Sequence, residues 1–201
     1  MSRLLGDFAA TTQALTPASI SFQLPVLRGE LANLRPICAI DTREQNELPI
    51  RRLKSVRKAL YAGDYALLGA EWAAAIERKS IEDLVGCCTG EARERFQREL
   101  MRLRGCAFRR LLIVGSRGLI ETQRYHSKIA PRAVLATLSA FEVRYSIPVV
   151  FCETPETAGQ QIESWLFWVA RELVQDANNL LRAESAESEK PDQAKPYALG
   201  P

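Results

Sequence analysis

Apolar and polar positions along the chain switch between the two-residue period of strands and the longer period of helices. "PICAID" (36–41) is a short apolar run that stops on Asp41, the pattern of a buried strand. "SVRKALYAGDYALLG" (55–69) alternates like a strand and is broken at Gly63. "WAAAIERK" (72–79) reads as a further strand, although its alanines taken alone favour helix. Ser80 with Asp83 forms a capping-box-like pair that starts a helix. "EARERFQRELMRLRG" (91–105) puts Ala92, Phe96, Leu100 and Leu103 on one helix face, with Gly105 as the stop. "RRLLIVG" (109–115) and "PVVFC" (148–152) are buried strands. Between them, Pro131 opens a helix carrying Val134, Leu135, Leu138 and Phe141. Thr154 and Pro155 begin a long helix that buries Ile162, Trp165, Leu166, Val169 and Leu173. This order predicts an α/β fold whose sheet is antiparallel at first and built by crossovers later. No glycine-rich phosphate loop follows the first strand, which argues against a nucleotide-binding fold.

Outside this regular stretch the pattern fades. Residues 1–34 mix Ser, Thr, Pro and scattered apolar groups, and are expected to form a weakly ordered or peripheral leader. Residues 35–181 make the folded domain, and 182–201 are expected to be a disordered polar tail. The 201 residues, 47% apolar and 25% charged, suit one core. No run approaches the roughly 20 apolar residues of a membrane span, and the start reads poorly as a signal peptide. The five cysteines show no CxxC pair and lie in apolar surroundings. They are expected as reduced core residues of a cytoplasmic protein, without a zinc site. The single histidine, His126, excludes chemistries built on histidine clusters and is expected at the surface.

The net charge is only +3, but seven arginines fall between 93 and 110: Arg93, Arg95, Arg98, Arg102, Arg104, Arg109 and Arg110. They suit a polyanion. They equally suit a solvated helix face balanced by Glu91, Glu94 and Glu99.

Three adjacent charges, Glu77, Arg78 and Lys79, end an otherwise apolar strand. Burying a charge is costly unless it is paired or binds an ion. If "GAEW" (69–72) is the turn of a hairpin, Ala66 faces Ala75 and Asp64 faces Glu77. Opposite residues share a sheet face about 4.5–5.5 Å apart, so two such carboxylates repel unless one is protonated or a cation lies between them. Lys79 shares that face with Glu77, and Arg78 points the other way. Lys79 could hold a phosphate and a nucleophilic water. Asp41 ends a strand, where open sheets place ligands, which makes Asp41 and Glu44 further candidate ligands. Singly, each residue has an ordinary role as turn, ion pair or helix cap. Jointly they are a specific pattern.

That pattern, "GDY" at 63–65 and "ERKSIEDL" at 77–84, resembles the signature of the XPF nuclease family: GD, a variable spacer, ERK, three residues, then D. Gly63, Asp64, Glu77, Arg78, Lys79 and Asp83 fill every lettered position. "IDTRE" (40–44), "RFQREL", "LLIVG" and "IPVVFCETPETA" extend the likeness over roughly 36–175. The resemblance implies a restriction-endonuclease-like core, a central mixed β-sheet flanked by α-helices. It implies Mg²⁺- or Mn²⁺-dependent cleavage of DNA near branches, flaps or forks. It carries catalytic roles onto Asp41, Asp64, Glu77 and Lys79, with Asp41, Asp64 and Glu77 as metal ligands. Arg78, Glu44 and Asp83 would support them, and Arg43, Arg93, Arg95, Arg98 and Arg102 would contact DNA. It also implies a homodimer or heterodimer through the nuclease domain, with the C-terminal helices as the surface. Many members append a tandem helix-hairpin-helix module and some are preceded by a helicase. Neither is legible here, so the chain resembles the stand-alone bacterial and bacteriophage members, acting in the cytoplasm at the nucleoid. Two alternatives stand beside this reading: a catalytically silent DNA-binding or dimerisation module, and a nuclease acting on other nucleic acid.

Overall fold

The computed structural model describes residues 33–188. The expected leader, apart from its last two residues, and positions 189–201 of the expected tail lie outside the described residues. Six strands make one sheet in the order β2-β1-β3-β4-β5-β6. Strands β1 (Ile37–Asp41), β2 (Lys54–Lys58), β3 (Tyr65–Leu67) and β4 (Ala74–Ser80) come first. Helices α1 (Ile81–Gly86) and α2 (Gly90–Leu103), strand β5 (Phe108–Val114) and helix α3 (Arg117–Glu121) follow. Helix α4 (Pro131–Tyr145), strand β6 (Val149–Cys152) and helix α5 (Pro155–Ser188) complete the chain. The sheet is mixed, as the resemblance implies. β1 pairs antiparallel with β3 and β3 with β4, whereas β4, β5 and β6 run parallel.

The expectation of an antiparallel beginning fails at one place: β1 and β2 are parallel, Ile37 opposite Lys54 and Asp41 opposite Lys58. Residues 42–53 carry the chain back to the far end of the sheet without a helix. They are held against α5. The Glu163 carboxylate accepts the Arg51, Arg52 and Leu53 amides through one oxygen. Gly159 lets the loop approach, since a Cβ there would lie 2.4 Å from the Pro49 carbonyl oxygen.

Helices cover the two faces unequally. On one face, Leu84 and Val85 of α1, Phe96, Leu100 and Leu103 of α2, and Val134, Leu138 and Phe141 of α4 pack on Ala75, Leu111 and Ile113. On the other, α5 alone lays Ala158, Ile162, Leu166 and Ala170 over Cys38, Ile40, Tyr65, Ile76 and Leu112. Period-two alternation along β4 and β5 sorts side chains between these cores, whereas Ala39 of β1 and Ala66 of β3 join Leu60 in a separate small cluster. The five cysteines are free and buried, as expected. Helix α5 continues past 181, into the segment expected as tail. No helix of the described residues is long and apolar enough to cross a membrane.

Candidate active site

The site forms where β1, β3 and β4 meet. Pairing of Tyr65 with Ile76 and Ala66 with Ala75 sets the hairpin in the register read from the sequence. The connection is longer than four residues, because pairing stops at Ala66 and Ala75. Ala39 lies opposite Ala66 on the next strand. Alternation from this row places Asp41, Asp64, Glu77 and Lys79 on one sheet face. Gly63 makes the bend possible. Its φ is +72°, and a Cβ there would stand 2.8 Å from the Ile76 carbonyl oxygen. Asp64 then leaves the regular ladder: its amide donates to the Ile76 carbonyl, and its carboxylate accepts the Arg78 amide at 2.8 Å.

Glu77 is buried and accepts from the Lys79 ammonium at 2.5 Å. Burial pushes the Glu77 carboxyl up against the pull of Lys79. Burial also raises Asp64, to about 8, and the Glu77 charge adds to the effect. Lys79 moves the opposite way from what its burial dictates. The Glu77, Asp64 and Glu99 carboxylates hold it charged and above its ordinary value. Glu99 stands 3.6 Å from the ammonium, which sits 5.0 Å from the centre of the Phe96 ring. Glu99 and Phe96 escaped sequence reasoning as site residues. Their spacing of three on α2, with Phe96 on the inner face, was the available signal.

Asp41 is buried, and both its oxygens are engaged. Oδ1 accepts from the Arg43 amide and Nε at 2.7 Å, and Oδ2 from Arg43 Nη2 at 2.9 Å and the Leu60 amide at 2.8 Å. Burial alone would raise its pKa, but these partners hold it down to about 2. Arg43 therefore serves Asp41 and the Leu60 carbonyl in this structure. Glu44 is buried nearby, accepts the Asn46 amide, and adds to the negative potential on Asp64. Asp83 is exposed at the rim; its amide donates to the Ser80 hydroxyl, the helix N-cap, and its carboxylate accepts from that hydroxyl at 2.7 Å. Arg78 points to the α5 face with its Nε buried and without a hydrogen-bond partner.

A polar cleft of about 490 Å³ is lined by Arg43, Glu44, Asp64, Lys79, Asp83 and Arg95 among others, with the buried Asp41 and Glu77 outside its lining. The arginines of α2 divide. Arg95 and Arg98 are exposed and Arg102 is half-buried. Arg93 is spent on the Cys88 carbonyl, the Thr137 hydroxyl and the Phe141 ring. His126 lies at the surface beside Glu82, as expected.

Among the described residues no three His, Cys, Asp or Glu side chains gather closely enough to form a metal-holding group. Asp64 and Glu77 nonetheless fit a divalent cation. They are two acids on one face, raised by burial and, at Asp64, by the neighbouring charge, and a cation between them would relieve both effects. One or two carboxylates suffice for Mg²⁺, which keeps several waters.

A family model described as the ERCC4 domain matches residues 40–164, more than half of the chain. The chain belongs to the ERCC4 domain family. The matched span holds every acidic and basic residue of the site from Asp41 to Arg102. Among solved structures, this ERCC4 domain is similar to XPF from Aeropyrum pernix at 22% identity and TM-score 0.52, over 68% of this chain and 60% of that one. It is similar to the same protein in a complex with DNA at 22% and 0.52, over 71% and 66%. The chain thus spans less than two thirds of the length of these XPF chains, and the likeness supports the restriction-endonuclease-like α/β fold. No curated protein matches the chain.

Proposed function

We propose that this ERCC4 domain is a Mg²⁺- or Mn²⁺-dependent endonuclease that hydrolyses DNA phosphodiester bonds near branches, flaps or forks. The observation that carries this reading is the placement of Asp64, Glu77 and Lys79 on one sheet face, the two acids raised by burial and the ammonium held charged beside them. Asp64 and Glu77 would hold the ion. When bound, the ion supplies an activated water and offsets charge on the phosphate. The Lys79 ammonium orients that water or a phosphate oxygen and stabilises the developing negative charge. Asp41 would join the ligand set by releasing Arg43, which would free that guanidinium for a phosphate. Glu44 deepens the acidic wall, and Asp83 fixes the helix start at its rim. Arg95, Arg98 and Arg102 offer phosphate contacts, so affinity should fall with salt. The structure of an XPF solved with DNA supports a DNA substrate. The outer side of α5, with Trp168 and Leu180 exposed, supports dimerisation through this domain.

Cleavage of labelled flap, fork, junction, duplex and single-stranded substrates in Mg²⁺ or Mn²⁺ tests the reading. Asp64→Asn and Glu77→Gln should abolish cutting and leave DNA binding largely intact. Normal cutting by either variant would refute the metal assignment. A second reading, a silent DNA-binding module, draws on the engagement of Asp41 by Arg43 and of Glu77 by Lys79. It predicts binding without cutting in either metal. RNA substrates in the same panel separate a nuclease of other specificity.

A further inference from the structure

Residues 48–63 contain Arg51, Arg52, Lys54, Arg57 and Lys58 and no Asp or Glu. This segment includes β2, the edge strand, which pairs only with β1 and is exposed at all its positions. Two of the cations have partners. Arg57 binds Glu47 and the Thr42 and Glu44 carbonyls, and Lys58 binds Glu71 at 2.5 Å. Arg51, Arg52 and Lys54, like the nearby Arg35, are exposed and form no ion pair among the described residues.

Beside the start of β2, on the α5 face, lies a cleft of about 890 Å³. Leu34, Pro36, Ile37, Leu53 and Phe167 give it apolar walls, and Arg35, Arg52 and Lys54 also line it. Glu163 is the one acid in its lining, and one of its oxygens is spent on the amides of residues 51–53. The two ends of β2 relate this cleft to the active site. Lys54 stands at the cleft, and Lys58 lies opposite Asp41. The four-residue rise between them is about 13 Å. Charged side chains on an edge strand deter edge-to-edge pairing, but that role needs no aromatic-walled cleft. Cations that follow a backbone, next to an aromatic surface for bases, are the two parts of a single-strand site.

We propose that the cleft and the start of β2 bind a single-stranded nucleic acid arm, with a base against Phe167 and phosphates on Arg35, Arg52 and Lys54. The arm would cross the open β2 edge toward Asp41. Its relation to cleavage rests on the nuclease reading, whereas binding does not.

The test uses the full chain and fluorescence anisotropy with oligo-dT and oligo-rU of about twenty nucleotides, an abasic strand of equal length and a blunt duplex, each over a salt series. Arg52→Gln/Lys54→Gln should weaken oligo-dT binding and reduce the log–log salt slope by about 1.4, or about 0.7 per lost contact. Phe167→Ala should weaken oligo-dT binding about fivefold or more and leave the abasic strand unaffected. Thermal melts matching the parent would establish that both variants fold. A stronger effect on dT than on rU assigns DNA, and an equal effect assigns either sugar. Parent-like affinity and slope in both variants would overturn the proposal. So would an equal loss on the blunt duplex. Asp64→Asn should bind the arm as the parent does. If the parent cuts nothing but the binding losses appear, the nuclease reading falls and this site stands. If it cuts and the losses are absent, this site alone falls.

Discussion

Replacing Asp64 by Asn should make the metal-free protein more stable at neutral pH while it destroys the proposed activity. In the folded chain the Asp64 carboxyl is raised from 3.8 to about 8, first by burial and then by the Glu77 charge. Between those values the folded chain holds a proton that the unfolded chain has released. Stability therefore declines as pH rises through this window, at up to about 1.4 kcal/mol per pH unit, and levels off above the folded value. From about pH 5 to about pH 7 the loss reaches about 2–3 kcal/mol, a sizeable part of the roughly 5–15 kcal/mol that holds a domain together. An Asn side chain carries no charge to bury and keeps an oxygen for the Arg78 amide, which donates at 2.8 Å. Asp64→Asn should thus exceed the parent by on the order of 2 kcal/mol near pH 7 in chelator and lack the parent's extra slope. Adding Mn²⁺ should close the gap. A ligand at a hundredfold excess over its dissociation constant contributes about 2.7 kcal/mol to the form that binds it. Urea unfolding of both proteins across this pH range, with chelator and with Mn²⁺, measures each quantity. Identical pH slopes in chelator, or a variant less stable than the parent near pH 7, would refute the account of Asp64.

Gly63→Ala should cost about 2 kcal/mol or more, because φ is +72° and the added methyl meets the Ile76 carbonyl oxygen at 2.8 Å. Its thermal melt and its cleavage of a labelled flap should decline together, since Asp64 follows the bend. Glu163→Ala removes the acceptor of the Arg51, Arg52 and Leu53 amides and should cost about 2 kcal/mol. Faster amide exchange confined to residues 51–53 would mark the cause. Arg43→Met should raise acid sensitivity. Asp41, held at about 2, contributes stability that is present above its unfolded value of 3.8 and is lost as pH falls toward 2. Without the guanidinium the loss should begin at higher pH, and acid unfolding followed by circular dichroism checks it.

What could be read in advance follows from how local each signal is. The hairpin register was legible because Gly63 breaks the alternation on one side and the charges of Glu77 and Lys79 mark parity on the other. The helix starts at Ser80 and Thr154 were legible because a cap and its donor lie within one turn, and the start at Pro131 because proline presets the first helical position. The direction of β2 was not legible. A strand's pattern is the same in either direction, and what turns residues 42–53 back is a carboxylate more than a hundred residues away, Glu163, with a glycine at 159 that admits Pro49. Helix α3 is a turn or so long, too short for a period to show. The state of Asp41 was hidden for a different reason. Asp and Arg two apart reveal a strand end, but only the turn after β1 lets one guanidinium take both oxygens while the Leu60 amide takes one as well. The same three letters, Asp-Thr-Arg, would read identically with Asp41 bare and ready for a cation. Sequence therefore identified Asp64 and Glu77 as sharing a face and Asp41 as a candidate ligand at a strand end. The hydrogen bonds separate them into a satisfied acid, Asp41, and a destabilised pair, Asp64 and Glu77, and that difference determines which of them would gain from a bound ion.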